Sequence, residues 1–269
     1  MATIDLAKIA VREANELIRD FGTNRENVEI LNPDAKHHIG VGLVDPIRVL
    51  VRGSAGYFCA GLTDNATFEI ENNVGWGLAD NMLGGTVVVH GNAGAIAAVA
   101  IRGADVVVHG NVGSRAGQVM KSGNLLCRGN ANFMAGYMMY GGRIIILGES
   151  GEKVGQVMTG GTIYVAGNVS SLGTDAHVVD VPEAERDEIL ALLDHHQISF
   201  TGTFQKIENA GEKLRYPREE PRVRAMPYFV ASEGGDYWNA KVQEDIYAKS
   251  QIGRYRIRGY GTTRPLPHL

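Results

Sequence analysis

The sequence lacks several features that identify common classes of protein. It has only two cysteines, Cys59 and Cys127, and they form neither a CxxC motif nor a zinc-binding spacing. No uninterrupted apolar run approaches the roughly 18 residues that a membrane-spanning helix needs, and the first residues contain no secretory apolar core. These absences exclude a disulfide-stapled scaffold, and they predict a reduced, cytoplasmic protein that does not contact membranes.

An excess of charge of one sign is also lacking. The 26 Lys and Arg residues nearly balance the 30 Asp and Glu residues, which gives a formal net charge of −4. A chain with this balance has no overall attraction to nucleic acid or to anionic lipid. Its 269 residues are enough for one or two domains with a sizeable core.

Glycine, in contrast, is abundant, and its spacing reveals an internal repeat. The chain has 35 glycines among its 269 residues, a fraction well above the average glycine content of about 7%. Turn-like segments such as GNAG and GNVG recur every 19 residues without a slip. The first residue of each unit is counted as position one, and the units begin at Gly53, Asn72, Gly91, Gly110, Gly129, Gly148 and Gly167.

Each unit carries the same types of side chain at the same positions. In the six complete units, positions sixteen and eighteen are apolar throughout, as in Val87 and Val89. Position eleven of these units is Met or Ile except in the first, and position eight is always Ala or Gly, while the seventh unit is partial. We predict that glycines at positions eight and fourteen have a structural role where the chain turns. They are Gly117, Gly136, Gly155, Gly85, Gly142 and Gly161.

This repeat predicts an all-β fold, a right-handed parallel β-helix of about seven coils. The alternating β-branched residues at positions fifteen to nineteen indicate a strand that ends at a Gly-Asn turn. A unit of 19 residues is too short for a strand and a crossover helix, which need about 30, but it suits one solenoid coil. The alternative, a β-sandwich with glycine-rich turns, does not explain the unbroken spacing.

The segments outside the repeat are predicted to cap the solenoid, because exposed strand edges pair with other chains. An amphipathic stripe from Leu6 to Ile18 and a second helix opened by Pro182 are the candidate caps. We divide the chain into a helical cap and lead-in over 1–45, the β-helix over 46–178, a capping helix over 179–200 and an extended arm over 201–269.

The sequence contains no recognisable catalytic constellation, so we predict no catalytic, cofactor-binding or metal-binding residue in this chain. Gly40-Val41-Gly42 lacks the third glycine of a dinucleotide fingerprint, and there is no P-loop. The adjacent His37 and His38 are interpreted as surface or capping residues, and both cysteines as small buried hydrophobes. His90 and His109 share position nineteen, so they are expected to stack one coil apart and to face outward.

The end of the arm is locally basic. Residues 246–269 contain five Lys or Arg residues, three Tyr residues and no acid. Arg and Tyr can contact phosphates and bases, but the remaining chain is acidic and has no nucleic-acid-binding motif. We therefore predict no nucleic acid partner. The segment is instead predicted to dock onto a partner subunit through Arg254, Tyr255, Arg256, Arg258 and Tyr260.

The repeat resembles a known family. Tandem GNAG and GNVG coils with Met-x-Gly-Gly before the strand (82–85, 139–142 and 158–161) look like the GXGXG domain, the C-terminal β-helix of the glutamate synthase large subunit. GSAGYFCAGL at 53–62, ADNMLGG at 79–85 and SSLGTDA at 170–176 resemble the stand-alone β-helix subunit of glutamate-synthase-like complexes. N-methylglutamate synthase is one of these complexes. The tail at 253–269 resembles the stretch that leads into the FMN-binding domain.

The resemblance implies a non-catalytic scaffolding subunit. It would hold a glutamine-amidotransferase-like subunit and an FMN-binding subunit together for glutamate or N-methylglutamate synthesis. FMN would belong to a partner subunit, and that subunit could also carry an iron–sulfur cluster. An alternative is the β-helix subunit of a formylmethanofuran dehydrogenase or formyltransferase/hydrolase complex, which shares the GXGXG repeats. The tail and the NPDAKHHIGVGL lead-in at 32–43 favour the glutamate synthase type.

Overall fold

The polypeptide winds into a parallel β-helix of about seven turns, as the repeat predicts. The structure is a computed structural model that describes residues 1–211. One eleven-stranded sheet runs along the rod, in the order β1 to β9, then β11, then β10. Its strands are β1 (Ala2–Asp5), β2 (Val28–Leu31), β3 (Arg48–Val51), β4 (Thr67–Ile70), β5 (Thr86–Val89), β6 (Arg102–Val108), β7 (Ser122–Cys127), β8 (Arg143–Ile146), β9 (Thr162–Val165), β10 (Ala176–Val179) and β11 (Gln205–Asn209).

The strands pair with an offset of one repeat. Arg48 lies beside Thr67, Thr67 beside Thr86, and the same 19-residue step continues to Thr162 in β9. A second line of parallel bridges joins position three of successive coils, from Ala55 to Val169. The 19-residue spacing of the sequence is therefore the length of one coil.

The inside of the rod is filled by the repeated apolar positions. Side chains at positions sixteen and eighteen, such as Phe68 and Ile70, are fully buried. The position-eleven column is buried as well, so its methionines are core residues that fill irregular space. This column contains Met82, Ile101, Met120, Met139 and Met158.

Position eight lies where each coil turns with a left-handed backbone. The φ angles are near +58° at Ala60, Ala79 and Ala98, and they reach 70–73° at Gly117, Gly136 and Gly155. A Cβ on Gly136 would lie 2.4 Å from Cδ1 of Ile163. Position fourteen is also left-handed and tight at Gly85, Gly142 and Gly161. The glycines predicted to be structural thus lie where the backbone is left-handed and where a Cβ would meet neighbouring atoms at less than 3 Å.

An asparagine ladder runs along the corner between two walls. The side-chain oxygen of Asn73 accepts a hydrogen bond from the backbone N–H of Asn92, at 2.9 Å. The same bond repeats from Asn111 to Asn92, from Asn130 to Asn111 and from Glu149 to Asn130, each at 2.8 Å. These bonds satisfy the backbone donors at position two of four successive coils.

Helix α1 (Val11–Thr23) packs on the N-terminal part of the rod. Ala14 and Ile18 are buried in the main core. The Asn15 side chain donates to the carbonyl of His38 at 2.7 Å and accepts from the N–H of Gly40 at 2.8 Å. These contacts join α1 to the lead-in coil, residues 32–47.

Helix α2 (Glu183–His195) lies elsewhere than the sequence predicts. Instead of covering the C-terminal end, it packs along the outer face of β6 to β9, with Ile189 and Leu193 buried there. The physical reason is a second apolar layer at position seventeen, which the helix shields from water. This layer consists of Val107, Leu126, Ile145 and Tyr164.

The C-terminal end is closed by two strands. β11 inserts antiparallel between β9 and β10. Its residues fall within the segment predicted to be an extended arm, so the sheet includes the start of that segment. The rest of the arm, 212–269, lies outside the described residues. Neither helix in the described part of the chain is long and apolar enough to cross a membrane.

Candidate functional site

The cysteines lie in the core and are chemically inert. Cys59 and Cys127 are both buried and unpaired. Burial raises the pKa of each thiol to about 12, so the reactive thiolate is scarce at neutral pH. This placement agrees with their interpretation as small buried hydrophobes.

The histidines predicted to stack do so on the outer face of the sheet. The rings of His90 and His109 are 5.3 Å apart and nearly parallel. Nε2 of His90 lies 3.1 Å from a carboxylate oxygen of Glu69. Within residues 1–211, no group of three or more His, Cys, Asp or Glu side chains is arranged to hold a metal ion. His37 and His38 instead stack on Tyr57 and Phe58 of the next coil.

The most distinctive surface is on the side of the rod away from the sheet. We name it the turn wall. It consists of three columns, one residue from each coil, in which several large apolar side chains are exposed while Ala100 is buried. Column five is His37, Tyr57, Trp76, Ala95, Ser114 and Phe133, column ten is Leu62, Asn81, Ala100, Val119, Met138 and Val157, and column twelve is Val44, Asp64, Leu83, Arg102, Lys121 and Tyr140.

An aromatic stack forms the first part of column five. Tyr57 stacks on His37 at 4.3 Å, and Trp76 stacks on Tyr57 at 5.7 Å, measured between ring centroids. A Cβ on Gly94 would lie 2.7 Å from Cδ1 of Trp76, so glycine there lets the indole lie against the next coil. The rings nevertheless keep much of their surface in solvent.

Several large apolar side chains of the turn wall are exposed. Val44 is 65% exposed, Leu62 59%, Trp76 56%, and Tyr57 and Tyr140 42% each. Contiguous exposed apolar surface of this kind marks binding sites on folded proteins, and Tyr and Trp are enriched where interfaces are strongest. The turn wall therefore has the character of a protein-docking surface.

Charges on the turn wall are separated along the rod. Residues 53–90 contain no Lys or Arg and place Asp64 on the wall. The later coils carry exposed Arg102 and Lys121 in column twelve, and Arg115 and Lys153 in neighbouring column six. None of these four cations forms an ion pair with another of the described residues.

Two of the cations lie over aromatic rings instead. The guanidinium of Arg115 is 5.7 Å from the ring centroid of Tyr137. Nζ of Lys153 is 5.8 Å from the ring centroid of Phe133. Such contacts hold a cation in place while leaving it available to an incoming acid.

The opposite face of the rod is occupied by α2 and its polar anchors. Nζ of Lys206 in β11 lies 2.8 Å from Glu185 and 2.9 Å from Glu208, and the hydroxyl of Tyr164 donates to Glu185 at 2.9 Å. At the other end of the helix, Nε2 of His196 lies 3.1 Å from Asp105 in β6. The anchors run from β9 back to β6, so α2 crosses the strands in the reverse of chain order.

These anchors change the pKa values of two carboxylates. The hydrogen bond from Lys206 lowers the pKa of Glu185, against a smaller upward effect of burial. Burial acts to raise the pKa of Asp105, but hydrogen bonds to His196 and Asn124 outweigh it and lower the pKa.

Acid is expected to release α2 before it unfolds the rod. Asp105 and Glu185 have lower pKa values in the folded state than in the unfolded state. The stability that they contribute is therefore present above about pH 4 and is lost as the pH falls through the folded-state values. Hydrogen exchange at several pH values, corrected for intrinsic rates, should show α2 losing protection below about pH 4 while β4 to β8 keep theirs. Equal protection of α2 at pH 3 and pH 7 would contradict this prediction.

The turn wall was not predicted from the sequence. The predicted docking residues Arg254, Tyr255, Arg256, Arg258 and Tyr260 lie outside the described residues. A signal for the wall was present in the repeat: positions five and twelve carry Tyr57, Trp76, Leu83 and Tyr140, which are large residues at outward positions.

Comparison with known proteins connects this geometry to a family and to one relative. The family described as "GXGXG motif" matches residues 18–206, which cover the rod from α1 to β11. Protein GlxC of Rhizobium meliloti (strain 1021) is 39% identical over 72 residues, which are 26% of this chain and 32% of GlxC. The similarity thus spans about a third of the length of that relative.

Proposed function

The chain belongs to the GXGXG motif family, and from this premise we propose that it is a non-catalytic subunit of a glutamate-synthase-type complex. It would hold a glutamine-amidotransferase-like subunit and an FMN-binding subunit in fixed relation, for synthesis of glutamate or N-methylglutamate. The single observation that carries the proposal is the rigid rod typical of this family, in which each strand from β3 to β9 is hydrogen-bonded to the strand of the next coil. Such a rod is suited to holding other proteins at fixed separations.

The fold supports a holding role in physical terms. Every coil is hydrogen-bonded to the next along the sheet and along position three, so points on the surface keep fixed separations. Transfer of a reactive group between active sites depends on geometry held to about an ångström. A stacked solenoid provides such geometry without taking part in the chemistry.

Deleting residues 246–269 is expected to abolish binding of the FMN-type subunit and leave the rod intact. The segment carries cations and tyrosines that suit an interface. It resembles the segment that leads into the FMN-binding domain, which in fused relatives joins the two domains covalently, and this likeness supports contact with the FMN-type subunit. Co-expression with the flavin-binding and amidotransferase-like subunits of the same organism, followed by affinity purification, measures the binding. Thermal unfolding of the shortened chain should match that of the full chain.

A finer control keeps the tail length constant. Arg254→Glu, Arg256→Glu and Arg258→Glu together should weaken co-purification as the deletion does, whereas Thr262→Ala and Thr263→Ala should not. Full-affinity assembly of the deleted chain would show that the tail is not the interface. Failure of the full-length chain to bind either subunit would reject the proposed function itself.

The isolated full chain is expected to bind no FMN and to show no glutaminase or glutamate synthase turnover. We expect this because the described residues contain no reactive thiol and no metal-binding cluster. The sequence also has no phosphate-binding loop. The measurement is the absorbance spectrum of the purified chain after incubation with FMN and gel filtration, together with glutaminase and synthase assays. A flavin spectrum that stays with the chain would contradict the expectation.

A further inference from the structure

Column five of the turn wall has a graded shape. Tyr57 and Trp76 are large, while Ala95 and Ser114 in the next two coils are small. Successive coils are separated by about 4.8 Å, the spacing of paired strands. The column therefore forms a ridge at Tyr57 and Trp76, whose indole leans onto Gly94 of the next coil, and it is lower at Ala95 and Ser114.

Column twelve is graded in charge over the same coils. Asp64 lies beside the ridge, and Lys121 lies beside the lower part of column five. Between them are Leu83, which is 48% exposed, and exposed Arg102. Shape and charge thus change along the rod in step.

We propose that the turn wall binds the turn wall of a second copy of this chain, with the two rods antiparallel. The twofold axis would lie in the interface, perpendicular to the rods, between the coil that begins at Asn72 and the coil that begins at Gly91. Such an axis places each column opposite the same column of the other copy, at reversed height. Trp76 then faces Ala95, and Tyr57 faces Ser114, so that each ridge meets the lower part of the other copy's column.

Most pairs in the other columns match under the same axis. In column twelve, Asp64 faces Lys121, exposed Val44 faces exposed Tyr140, and Leu83 faces Arg102. In column ten, Leu62 faces Val119, and Asn81 faces Ala100. One operation thus pairs large with small in column five, acid with base in column twelve and two further pairs of apolar residues, which gives the contact the self-complementarity of an isologous interface. Leu83 opposite Arg102 is the pair that does not match. The contact spans six coils, or about 29 Å of wall.

Other occupants of the wall fit less of it. An acidic partner would match Arg102, Lys121 and Arg115, but it would place carboxylates against Asp64. The chain's own tail, 246–269, would bring five further cations to the four already there. A second copy would place Lys121 opposite Asp64 and Asp64 opposite Lys121. This inference does not depend on the proposed function, because the tail remains available to other subunits.

Sedimentation equilibrium of the full chain tests the proposal through charge exchange. Wild type is expected to be a dimer. Asp64→Lys and Lys121→Asp should each raise the dissociation constant by about tenfold or more, because each places like charges in both symmetric contacts. An equal mixture of the two variants should dimerise like wild type, since both contacts become Lys with Asp again. The double variant D64K/K121D should also recover.

Cross-linking tests the axis without relying on affinity. Leu62 and Val119 lie three coils apart in one chain, about 14 Å, which is too far for a disulfide. The variant L62C/V119C should therefore form a covalent dimer on mild oxidation. L62C/V157C is a matched control in the same column at the wrong height, and it should stay unlinked. Buried Cys59 and Cys127 should not react.

Several outcomes would overturn the proposal. A wild-type chain that remains monomeric at all concentrations would do so. A dimer that is indifferent to both charge variants, or that cross-links through L62C/V157C, would show another contact. Protection of Trp76 from chemical oxidation by an added partner subunit, in a chain that stays monomeric, would assign the wall to that partner. Unchanged thermal midpoints would confirm that the variants are folded.

Discussion

Replacing Gly136 with valine is expected to lower the free energy of unfolding by about 2–4 kcal/mol. Two effects add. A Cβ at this position would lie 2.4 Å from Cδ1 of Ile163, so the packed interior of two coils must move. The φ angle is +73°, a conformation that is costly for a β-branched residue. Denaturant unfolding followed by circular dichroism measures the change.

Glycine-to-alanine variants separate the two effects. Gly42 has a similar φ of +71°, but a Cβ there would meet no atom within 4 Å. Gly42→Ala therefore introduces the backbone cost alone, of about 1 kcal/mol, while Gly136→Ala adds the collision with Ile163. Unfolding of Gly136→Val at the wild-type midpoint would mean that position eight is not packed as the structure shows.

Replacing Ile189 with alanine is expected to detach α2 from the sheet, with a local loss of about 2–5 kcal/mol. Ile189 is fully buried against the position-seventeen layer on the outside of the rod. Removing three carbons leaves a cavity between helix and sheet, and the 13-residue helix is too short to persist without packing. Amide hydrogen exchange should show faster exchange in α2, with little change in β4 to β8.

The location of the effect distinguishes this prediction from general destabilisation. α2 packs on the outer face, so its loss does not open the interior of the coils. Leu190→Ala changes the same kind of side chain at a partly exposed neighbouring position, and it should have a much smaller effect. Simultaneous loss of protection in α2 and in the strands would contradict the independence of the helix.

The regular part of the fold could be predicted because one pattern repeats without interruption. Spacing of 19 residues fixes which residues lie beside each other, so the pairing of Thr67 with Thr86 follows from counting. The stacking of His90 on His109 follows in the same way. Because identical positions of successive coils stack, residues that are 19 apart in the sequence are neighbours in the structure.

The irregular parts could not be predicted in this way. The apolar stripe of α2 indicates that one face of the helix is buried, but it does not indicate against which surface. Both the C-terminal end of the rod and the position-seventeen layer on its outer face could bury that stripe. β11 contains alternating Lys206 and Ile207, yet its antiparallel insertion depends on pairing with β9 across about 40 residues of chain. The asparagine ladder was visible as Asn at position two, but its bonds depend on the height of the next coil.

The turn wall could not be recognised from the sequence for a related reason. Tyr57 and Trp76 are ordinary surface residues when each is considered in its own unit. They form a stack only because the coils place them in one column, and the contrast with Ala95 and Ser114 has meaning only along that column.

The ends of the rod have a consequence for how the protein behaves at high concentration. A flat-ended solenoid offers the next molecule a complete template on every wall, which is a route to fibre growth. Here β11 and β10 extend the sheet beyond β9, while the bridges of the other walls end at Val169 and Leu172. Among residues 1–211 this end is a step, about two strand spacings or 10 Å high, and α1 packs on the lead-in coil at the opposite end. Because another rod cannot meet all walls of such a step at once, we expect the step to hinder elongation by coil stacking.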